Sequence, residues 1–227
     1  MGDIAKHERV NDILLGPLER PALRWLAAHM PAWITPDHCT AIGVLGAVGI
    51  MVSYGLSALN PNFLWLASFF FVVNWFGDSL DGTLARYRHI ERPIYGFFLD
   101  HTVDALVEVM IFLGFGLSPH ISYVTASLAL IAYLILSVLV YVRTSAVGEF
   151  KISYGRLGPT EIRVLAILLN VWMYFGGVQT FSISVLPGAQ ITFSPYDIAM
   201  AGIALLLLSF FMTTAWRQTI ALRQAGK

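Results

Sequence analysis

The alternation of apolar and polar segments divides the chain into six long apolar stretches separated by short polar connections. A helix needs about 20 apolar residues to cross a hydrocarbon core of roughly 30 Å, and most of these stretches approach that length. The predicted spans cover residues 39–59, 63–77, 97–117, 121–142, 164–178 and 198–216. The third carries acidic residues in its first turns, before a clean apolar run over 109–117. The pattern therefore predicts an all-α integral membrane protein with six transmembrane helices.

A shorter segment with one apolar and one polar face precedes the first predicted span. Residues 19–26 predict a short helix, with Pro21 in its first turn and Pro31 beyond its end. Leu23 and Trp25 contribute to its apolar side, and arginines occupy the other side. Such a helix lies in the membrane interface or packs on the bundle as a cytosolic cap, and the residues favour neither. Our prediction is an N-terminal interfacial amphipathic helix.

The composition agrees with a membrane protein and excludes a soluble globular one. Of the 227 residues, 57% are apolar and 12% are charged, and the mean hydropathy is +0.69. Average soluble domains are about 45–50% apolar and about 25% charged. The 14 basic and 14 acidic residues balance, so the net charge indicates no nucleic-acid partner. The single cysteine, Cys39, allows neither an internal disulfide nor a thiolate metal cluster.

The basic residues all fall on one side of the predicted membrane. When six spans are threaded through the bilayer, all 14 Lys and Arg residues lie in segments that share a side: 1–37, 82–96, 143–163 and 217–227. Cytoplasmic loops carry an excess of basic residues. The distribution therefore predicts a multi-pass protein with both termini cytoplasmic and with its polar chemistry on the cytoplasmic side.

Four aspartates, Asp78, Asp81, Asp100 and Asp104, lie at the predicted cytoplasmic ends of the second and third spans. Spacings of i,i+3 and i,i+4 place each pair on one face of its helix. A short connection makes the two helices antiparallel, so we expect the acidic faces to meet. Converging carboxylates repel one another and are costly to bury in a bilayer, unless hard divalent cations such as Mg²⁺ or Mn²⁺ lie between them.

A single aspartate at this depth is well explained without a ligand. It would cap a helix at the water boundary or pair with Arg86, Arg88 or Arg92. Four aspartates at these spacings, with Gly82 and Gly96 beside them, favour a cation site instead.

The spacing of these residues resembles a known signature. The pattern is Asp78-x2-Asp81-Gly82-x2-Ala85-Arg86-x9-Gly96-x3-Asp100-x3-Asp104. It is similar to the motif of the CDP-alcohol phosphotransferases, integral membrane enzymes of phospholipid synthesis. The nine residues between Arg86 and Gly96 are one more than the family usually has, which affects the loop more than the acids. Residues 34–40 are more weakly similar to the family's entry to its first span.

The resemblance implies a six-helix transmembrane catalytic domain over 38–227, preceded by a cytoplasmic or interfacial segment over 1–37. It also implies that Asp78, Asp81 and Asp100 hold a pair of divalent metal ions, Mg²⁺ or Mn²⁺, on the diphosphate of a CDP-alcohol. Asp104 is implied to be the general base and to share a metal. The family is commonly dimeric, so a homodimer among membrane lipids is expected.

The remaining signature residues are implied to bind the nucleotide together with Asp78 and Asp81. Gly82 and Ala85 leave room for it to approach the helix, and Arg86 neutralises phosphate charge. The implied reaction is attack of an alcohol hydroxyl on the β-phosphorus, with release of CMP. The residues leave open whether CDP-diacylglycerol or a CDP-linked head group is the donor.

Several polar residues near the signature admit two interpretations. Arg143, Lys151 and Arg156 form a candidate pocket for an acceptor phosphate, because family members that accept phosphorylated alcohols use basic residues there. They are equally explained as anchors near anionic headgroups. His101, together with Asp100, resembles the Asp-His pair of the choline and ethanolamine phosphotransferase branch. Alternatively, it is simply a polar residue at the membrane interface. Glu108 orients a metal ligand or, as we favour, hydrogen-bonds inside the bundle.

Two other functional classes compete with the enzyme. A cation transporter or channel also carries intramembrane acids, but a path across the membrane requires polar residues at several depths, and the outer halves of the predicted spans carry no charge. A catalytically silent scaffold has no need for four acids, two glycines and Arg86 in register. The pattern favours an enzyme whose active site lies on one side of the membrane.

Overall fold

A computed structural model describes residues 14–147, 158–186 and 189–225 of the chain. Within these residues the chain forms one short helix, six longer helices and a two-stranded hairpin. In chain order the elements are α1 (Gly16–His29), α2 (Pro36–Leu56), α3 (Phe63–Tyr87), α4 (Pro93–Leu117), α5 (Tyr123–Val147), α6 (Pro159–Gly176), β1 (Phe181–Leu186), β2 (Ala189–Phe193) and α7 (Pro195–Gln224).

The six longer helices, α2 to α7, coincide with the six predicted apolar stretches. Four of them, α2, α3, α5 and α7, are long and apolar enough to cross a membrane. Helix α4 carries three acids, Asp100, Asp104 and Glu108, and α6 has only 18 residues and includes Glu161 and Arg163. The structure supports a membrane protein with several spans, and membrane crossing by α4 and α6 stays a prediction.

Proline and capping residues determine where several helices begin. Ser194 and Asp197 form a capping box at α7, in which the Ser194 hydroxyl accepts from the Asp197 N–H at 2.9 Å and the Asp197 carboxylate accepts from the Ser194 N–H at 2.8 Å. A proline in the first turn has a φ that already suits a helix. Four of the longer helices have one there: Pro36, Pro93, Pro159 and Pro195.

An antiparallel hairpin of β1 and β2 joins α6 to α7 and corrects the all-α prediction. Apolar and polar residues alternate along both strands, a period that favours a strand over a helix. The paired residues are Phe181 with Phe193, Ser182 with Thr192, Ile183 with Ile191, and Ser184 with Gln190. Each pair joins side chains of the same character, so the hairpin has one apolar and one polar face.

Small residues let α2 and α3 approach closely at the level of the aspartates. A methyl group added to Gly46 would lie 2.7 Å from the backbone nitrogen of Asn74, and one added to Gly77 would overlap the backbone of Gly43. Small residues at such an interface let two helix backbones approach closely. Because Asp78 follows Gly77 directly, the contact also determines where this carboxylate enters the bundle.

Helix α1 packs across the end of α3 that carries aspartates. Leu23 and Ala27 are buried in one cluster with Leu80 and Leu84 of α3, as the cap interpretation of this helix predicts. The helix begins at Gly16 and contains Pro21 in its interior, so the predicted start at residue 19 is wrong. Its outward face exposes Leu18 and Trp25, at 75% and 61%.

Polar bonds attach α1 and the following connection to the bundle. One oxygen of Glu19 accepts hydrogen bonds from Trp75 at 2.8 Å, Ser79 at 3.2 Å and Thr160 at 2.7 Å, which links α1 to both α3 and α6. The guanidinium of Arg88 donates to four backbone carbonyls between α1 and α2, including that of Met30 at 2.9 Å. The N-terminal helix is therefore part of the folded unit.

Hydrogen bonds also join the connections at the opposite end of the bundle. The Ser194 hydroxyl donates to the His120 carbonyl at 2.6 Å, and the Ser122 N–H donates to Asp197 at 2.8 Å. Burial lowers the pKa of His120, so its imidazole is neutral at pH 7. No Lys or Arg lies in any connection at this end.

Candidate active site

The four predicted aspartates line one cavity between α2, α3 and α4. Asp78 and Asp81 come from α3, and Asp100 and Asp104 come from α4. Helix α2 packs against both α3 and α4, so the two acidic faces meet across the cavity. Its lining residues are Thr40, Gly43, Asn74, Asp78, Asp81, Asp100, Val103, Asp104 and Val107.

Two donors orient the carboxylate of Asp81. The Thr40 hydroxyl, from the first turns of α2, donates to one oxygen at 2.7 Å, and the backbone N–H of Gly82 donates to the other. Asp78 and Asp100 lie close enough for their negative charge to act on Asp81. Two hydrogen bonds therefore fix the Asp81 carboxylate in place although the carboxylates of Asp78 and Asp100 repel it.

Asp78 lies in an ion pair that sequence reasoning missed. Arg163, in the first turns of α6, donates to Asp78 at 2.7 Å and to the side-chain oxygen of Asn74 at 2.8 Å. The Asn74 amide in turn donates to the Gly43 carbonyl at 2.9 Å. By sequence, Arg163 is one of the basic residues of the predicted cytoplasmic segment 143–163. The structure places it inside the bundle with 12% of its side chain exposed.

Asp100, His101 and Asp104 form a compact group on α4. Each offers one ligand atom, and these atoms all lie within 4.8 Å of one another. The His101 Nδ1 is 3.5 Å from an Asp100 oxygen. Its ring stacks on Tyr141 of α5 at 5.4 Å and meets the edge of Phe97 at 4.2 Å. Aromatic contacts thus hold His101 beside the acids.

Asp104 accepts no hydrogen bond from any residue in the described part of the chain. Its charged neighbours are Asp78, Asp100, Glu108 and Arg163. One turn further along α4, Glu108 hydrogen-bonds with the half-buried Tyr133 of α5, as the bundle-interior interpretation predicts. Of these two acids, Asp104 is the one left open to a ligand.

The predicted nucleotide-binding residues follow Asp81 along the last turns of α3. A methyl group on Gly82 would lie 3.3 Å from the Arg86 guanidinium, which itself donates to Thr83 at 3.3 Å. Ala85 is half-buried. A methyl group on Gly96 would meet no atom within 4 Å, so there is open space beside the start of α4. Their role in nucleotide binding stays a prediction.

The connection between α3 and α4, which contains the extra residue of the signature, is attached to α2. Arg92 donates to Asp37 at 2.6 Å and lies over the Tyr95 ring at 4.1 Å. The hydrogen bond to Asp37 raises the pKa of Arg92. His89 adopts a φ of 57°, in the left-handed region that non-glycine residues seldom occupy. A left-handed turn thus lies where the spacing departs from the family.

The structure describes one of the three predicted acceptor residues. Arg143 is half-buried near the end of α5. Lys151 and Arg156 lie outside the described residues. The acceptor pocket therefore stays a prediction.

The donor chemistry of the cavity fits a divalent metal. Carboxylate oxygens are the ligands that Mg²⁺ and Mn²⁺ prefer, and four of them meet here, with Arg163 as the cation bound to Asp78. Asp104 keeps its acceptor capacity unused by described residues. The residues able to hold such ions are Asp78, Asp81, Asp100 and Asp104, with His101 as an added donor.

Comparisons with known proteins identify relatives of the chain. A family model described as CDP-alcohol phosphatidyltransferase matches residues 33–193. The chain is 34% identical over 124 residues to phosphatidylinositol phosphate synthase of Cutibacterium acnes, covering 52% of this chain and 56% of that protein. It is 24% identical over 207 residues to cholinephosphotransferase 1 of Gallus gallus, covering 87% of this chain and 61% of that protein.

A solved structure shares the fold. It is the crystal structure of phosphatidylinositol phosphate synthase of Mycobacterium tuberculosis with CDP-DAG bound, with a TM-score of 0.56 and 20% identity. The match covers 89% of this chain and 94% of that chain. Among the curated relatives, by contrast, the chain spans 56% and 61% of the lengths of the two proteins compared above.

Proposed function

Because the chain belongs to the CDP-alcohol phosphatidyltransferase family, we propose that it transfers a substituted phosphate group from a CDP-alcohol to an acceptor hydroxyl and releases CMP. The observation that carries this proposal is the single cavity lined by all four aspartates of the signature. Hydrogen bonds from neighbouring helices orient two of them, Asp78 from α6 and Asp81 from α2, which is what a preorganised site requires.

Asp78, Asp81, Asp100 and Asp104 would hold Mg²⁺ or Mn²⁺, two ions in our proposal. A bound divalent metal would supply positive charge to the diphosphate and stabilise the leaving CMP. Thr40 supports this arrangement because it orients Asp81 at 2.7 Å. Arg163 supports it from the other side, since it holds Asp78 at 2.7 Å.

Asp104 is proposed as the general base. In the reaction, the acceptor oxygen forms a bond to the β-phosphorus, the bond from that phosphorus to the oxygen bridging to CMP breaks, and the hydroxyl proton passes to Asp104. A base must keep a free oxygen within reach of the proton. The absence of a hydrogen bond to Asp104 from any described residue supports this role.

Nucleotide and acceptor binding are assigned to the flanking residues. Gly82, Ala85 and Arg86 would receive the nucleotide beside Asp81, and the open space next to Gly96 supports its approach from this end. Arg143, Lys151 and Arg156 would bind an acceptor phosphate. An enzyme whose product carries a head-group phosphate, as the name of the relative from Cutibacterium acnes states for that protein, would need such a pocket.

The proposal includes a membrane arrangement. All six of α2 to α7 would cross the bilayer, with both termini and the cavity on the cytoplasmic side, α1 at the interface and the protein a homodimer. The distribution of all 14 basic residues to one side supports this orientation. The exposed Leu18 and Trp25 of α1 support its contact with lipid headgroups.

A transporter is disfavoured by the core between the cavity and the other end. Buried apolar residues such as Ile50, Phe71 and Phe115 fill that region. Its polar groups bond to one another: Tyr54 donates to Asn170 at 2.7 Å, and Asn170 donates to Ser68 at 3.0 Å. An ion path would need polar groups that are free to bind the ion.

The test is a CMP-release assay with purified protein in lipid micelles. One arm pairs CDP-diacylglycerol with phosphorylated and unphosphorylated polyols, and the other pairs a CDP-linked head group with diacylglycerol. We expect release in one arm, loss of release with a chelator, and recovery with Mg²⁺ or Mn²⁺. Release that is undiminished in chelator would refute the metal site, and no release in either arm would refute the enzyme.

A further inference from the structure

The hairpin of β1 and β2 is not needed for the chemistry described above. Its strands lie between α6 and α7, and only Ser194 separates β2 from α7. Ser194 bonds to the connection between α4 and α5 through the His120 carbonyl at 2.6 Å. The hairpin therefore lies at the end of the bundle opposite the aspartate cavity.

One face of the hairpin is apolar and open. Phe181, Ile183 and Ile191 are 53%, 55% and 57% exposed. Phe193 completes this face, with its ring 6.2 Å from that of Phe181. Phe193 is half-buried, whereas the described neighbours of the other three leave more than half of each side chain exposed.

The other face is polar. Ser182 and Thr192 hydrogen-bond across the strands at 3.1 Å, and Ser184 is paired with Gln190. Residues 177–194 include no Asp, Glu, Lys or Arg. Hairpins exposed to water on both faces rely on charged side chains to prevent association, and this one has none.

Aromatic side chains mark the same level of the bundle on its helices. Trp65 near the start of α3 lies 5.3 Å from Tyr174 near the end of α6, and Tyr174 bonds to Asn62 at 3.1 Å. Trp65, Trp172 and Tyr123 are all 45% or more exposed. Trp and Tyr are enriched where a membrane meets water, so this level has the character of an interface.

We propose that the hairpin is a membrane-interface anchor, with the apolar face of Phe181, Ile183, Ile191 and Phe193 buried at the lipid boundary of the leaflet opposite the active site. The polar face of Ser182, Ser184, Gln190 and Thr192 points to water. This proposal rests on the membrane arrangement proposed above. Lipid is the partner because the hairpin is continuous with α7, an apolar helix long enough to span the bilayer.

Neighbouring residues on opposite faces provide a matched test. Ile183→Cys and Ser184→Cys variants are labelled with an environment-sensitive fluorophore, in nanodiscs whose lipids carry a quencher on the acyl chain. Leu205→Cys on α7, 69% exposed in the structure, serves as the reference in the membrane. Cys39 is fully buried, and the labelled parent chain gives the background.

We expect quenching at Ile183 to approach that at Leu205 and to be several-fold greater than at Ser184. If Leu205 is quenched and neither hairpin position is, the hairpin lies in water and the anchor is refuted while the span arrangement stands. Equal quenching at Ile183 and Ser184 refutes the two-sided orientation. If Leu205 itself is not quenched, the proposed arrangement of spans fails.

A second copy of the chain is the competing partner for this face. Disulfide cross-linking of the Ile183→Cys variant between copies in lipid vesicles measures it directly. We expect no cross-linked dimer through this position. Efficient cross-linking, together with absent lipid quenching, would assign the apolar face to a protein interface and overturn the anchor.

Discussion

Two aspartates inside the helical bundle, one near each end, are in opposite circumstances. At one end Asp197 receives the Ser122 N–H on one oxygen and the Ser194 N–H on the other, both at 2.8 Å. At the other end Asp104 receives no hydrogen bond from a described residue and faces further acids. Backbone donors of the fold satisfy both carboxylate oxygens of Asp197, whereas those of Asp104 receive no hydrogen bond from a described residue.

The hydrogen-bond donors around a carboxylate thus distinguish an acid with a structural role from one that binds a ligand. Burying a carboxylate is costly unless donors or cations compensate it. Where backbone donors do so, as at Asp197, the acid caps α7 and contributes to stability. Where they do not, as at Asp104, the site has acceptor capacity that a bound cation or substrate would use. The comparison can be tested by exchanging carboxylates for amides at each end.

The largest effect is expected for Asp104→Asn. Asparagine keeps the shape and one oxygen but cannot take the acceptor's proton, so turnover should fall by about 10²–10⁴. Binding of metal and CDP-alcohol should be largely kept. CMP release together with calorimetric binding decides this prediction.

Asp78→Asn and Asp197→Asn are the controls for Asp104→Asn. Asp78→Asn should lose metal binding and, through it, CDP-alcohol binding. Asp197→Asn should keep full turnover per folded molecule. If Asp104→Asn abolishes substrate binding as fully as Asp78→Asn, Asp104 is chiefly a metal ligand and another group is the base.

A smaller effect is expected for Arg163→Gln. The substitution leaves Asp78 without its cation, and a hydrogen bond to a charged group contributes about 1.5–3 kcal/mol. The metal-free variant should therefore have a lower Tm than the parent, and added Mg²⁺ should raise its Tm by more. Thermal unfolding with and without Mg²⁺ measures both quantities.

The exposed Arg217 of α7 provides the matched control for Arg163→Gln. Arg217→Gln should change neither the Tm nor the response to Mg²⁺. An identical Mg²⁺ response in Arg163→Gln and the parent would show that Arg163 does not stand in for a cation at Asp78.

The smallest effect is expected for Asp197→Asn, and it should appear in stability alone. An amide offers one acceptor oxygen, so one of the two backbone donors loses its partner, at a cost of about 1–2 kcal/mol. Asp37→Asn is a useful comparison, because its partner Arg92 is 54% exposed and exposed ion pairs contribute about 0.2–1 kcal/mol. A larger loss of Tm in Asp37→Asn than in Asp197→Asn would contradict the comparison.

Much of the fold could be predicted because a membrane helix appears in the sequence as a long run of apolar residues. All six long helices coincide with predicted stretches, and the family resemblance drawn from the aspartate signature is confirmed by the family model. The starts of α4 and α6 were missed because a proline begins each of these helices within polar sequence. Periodicity alone does not detect such starts.

Arg163 and the hairpin were missed for different physical reasons. Arg163 follows a basic segment in sequence, and only the contact of α6 with α3 turns it toward Asp78. The hairpin did carry a signal, since apolar and polar residues alternate from Phe181 to Ser184 and again from Gln190 to Phe193. A search for long apolar runs does not register a period of two.

The contacts of Glu19 impose an order on biogenesis. Helix α1 leaves the ribosome first, yet Glu19 bonds to Thr160 at 2.7 Å, and the Leu15 N–H bonds to Glu161 at 2.7 Å. Both partners belong to α6, which follows α2 to α5 in the chain. The bonds of α1 to α6 therefore form only after four further helices have been translated, whereas the packing of α1 on α3 needs no helix beyond α3.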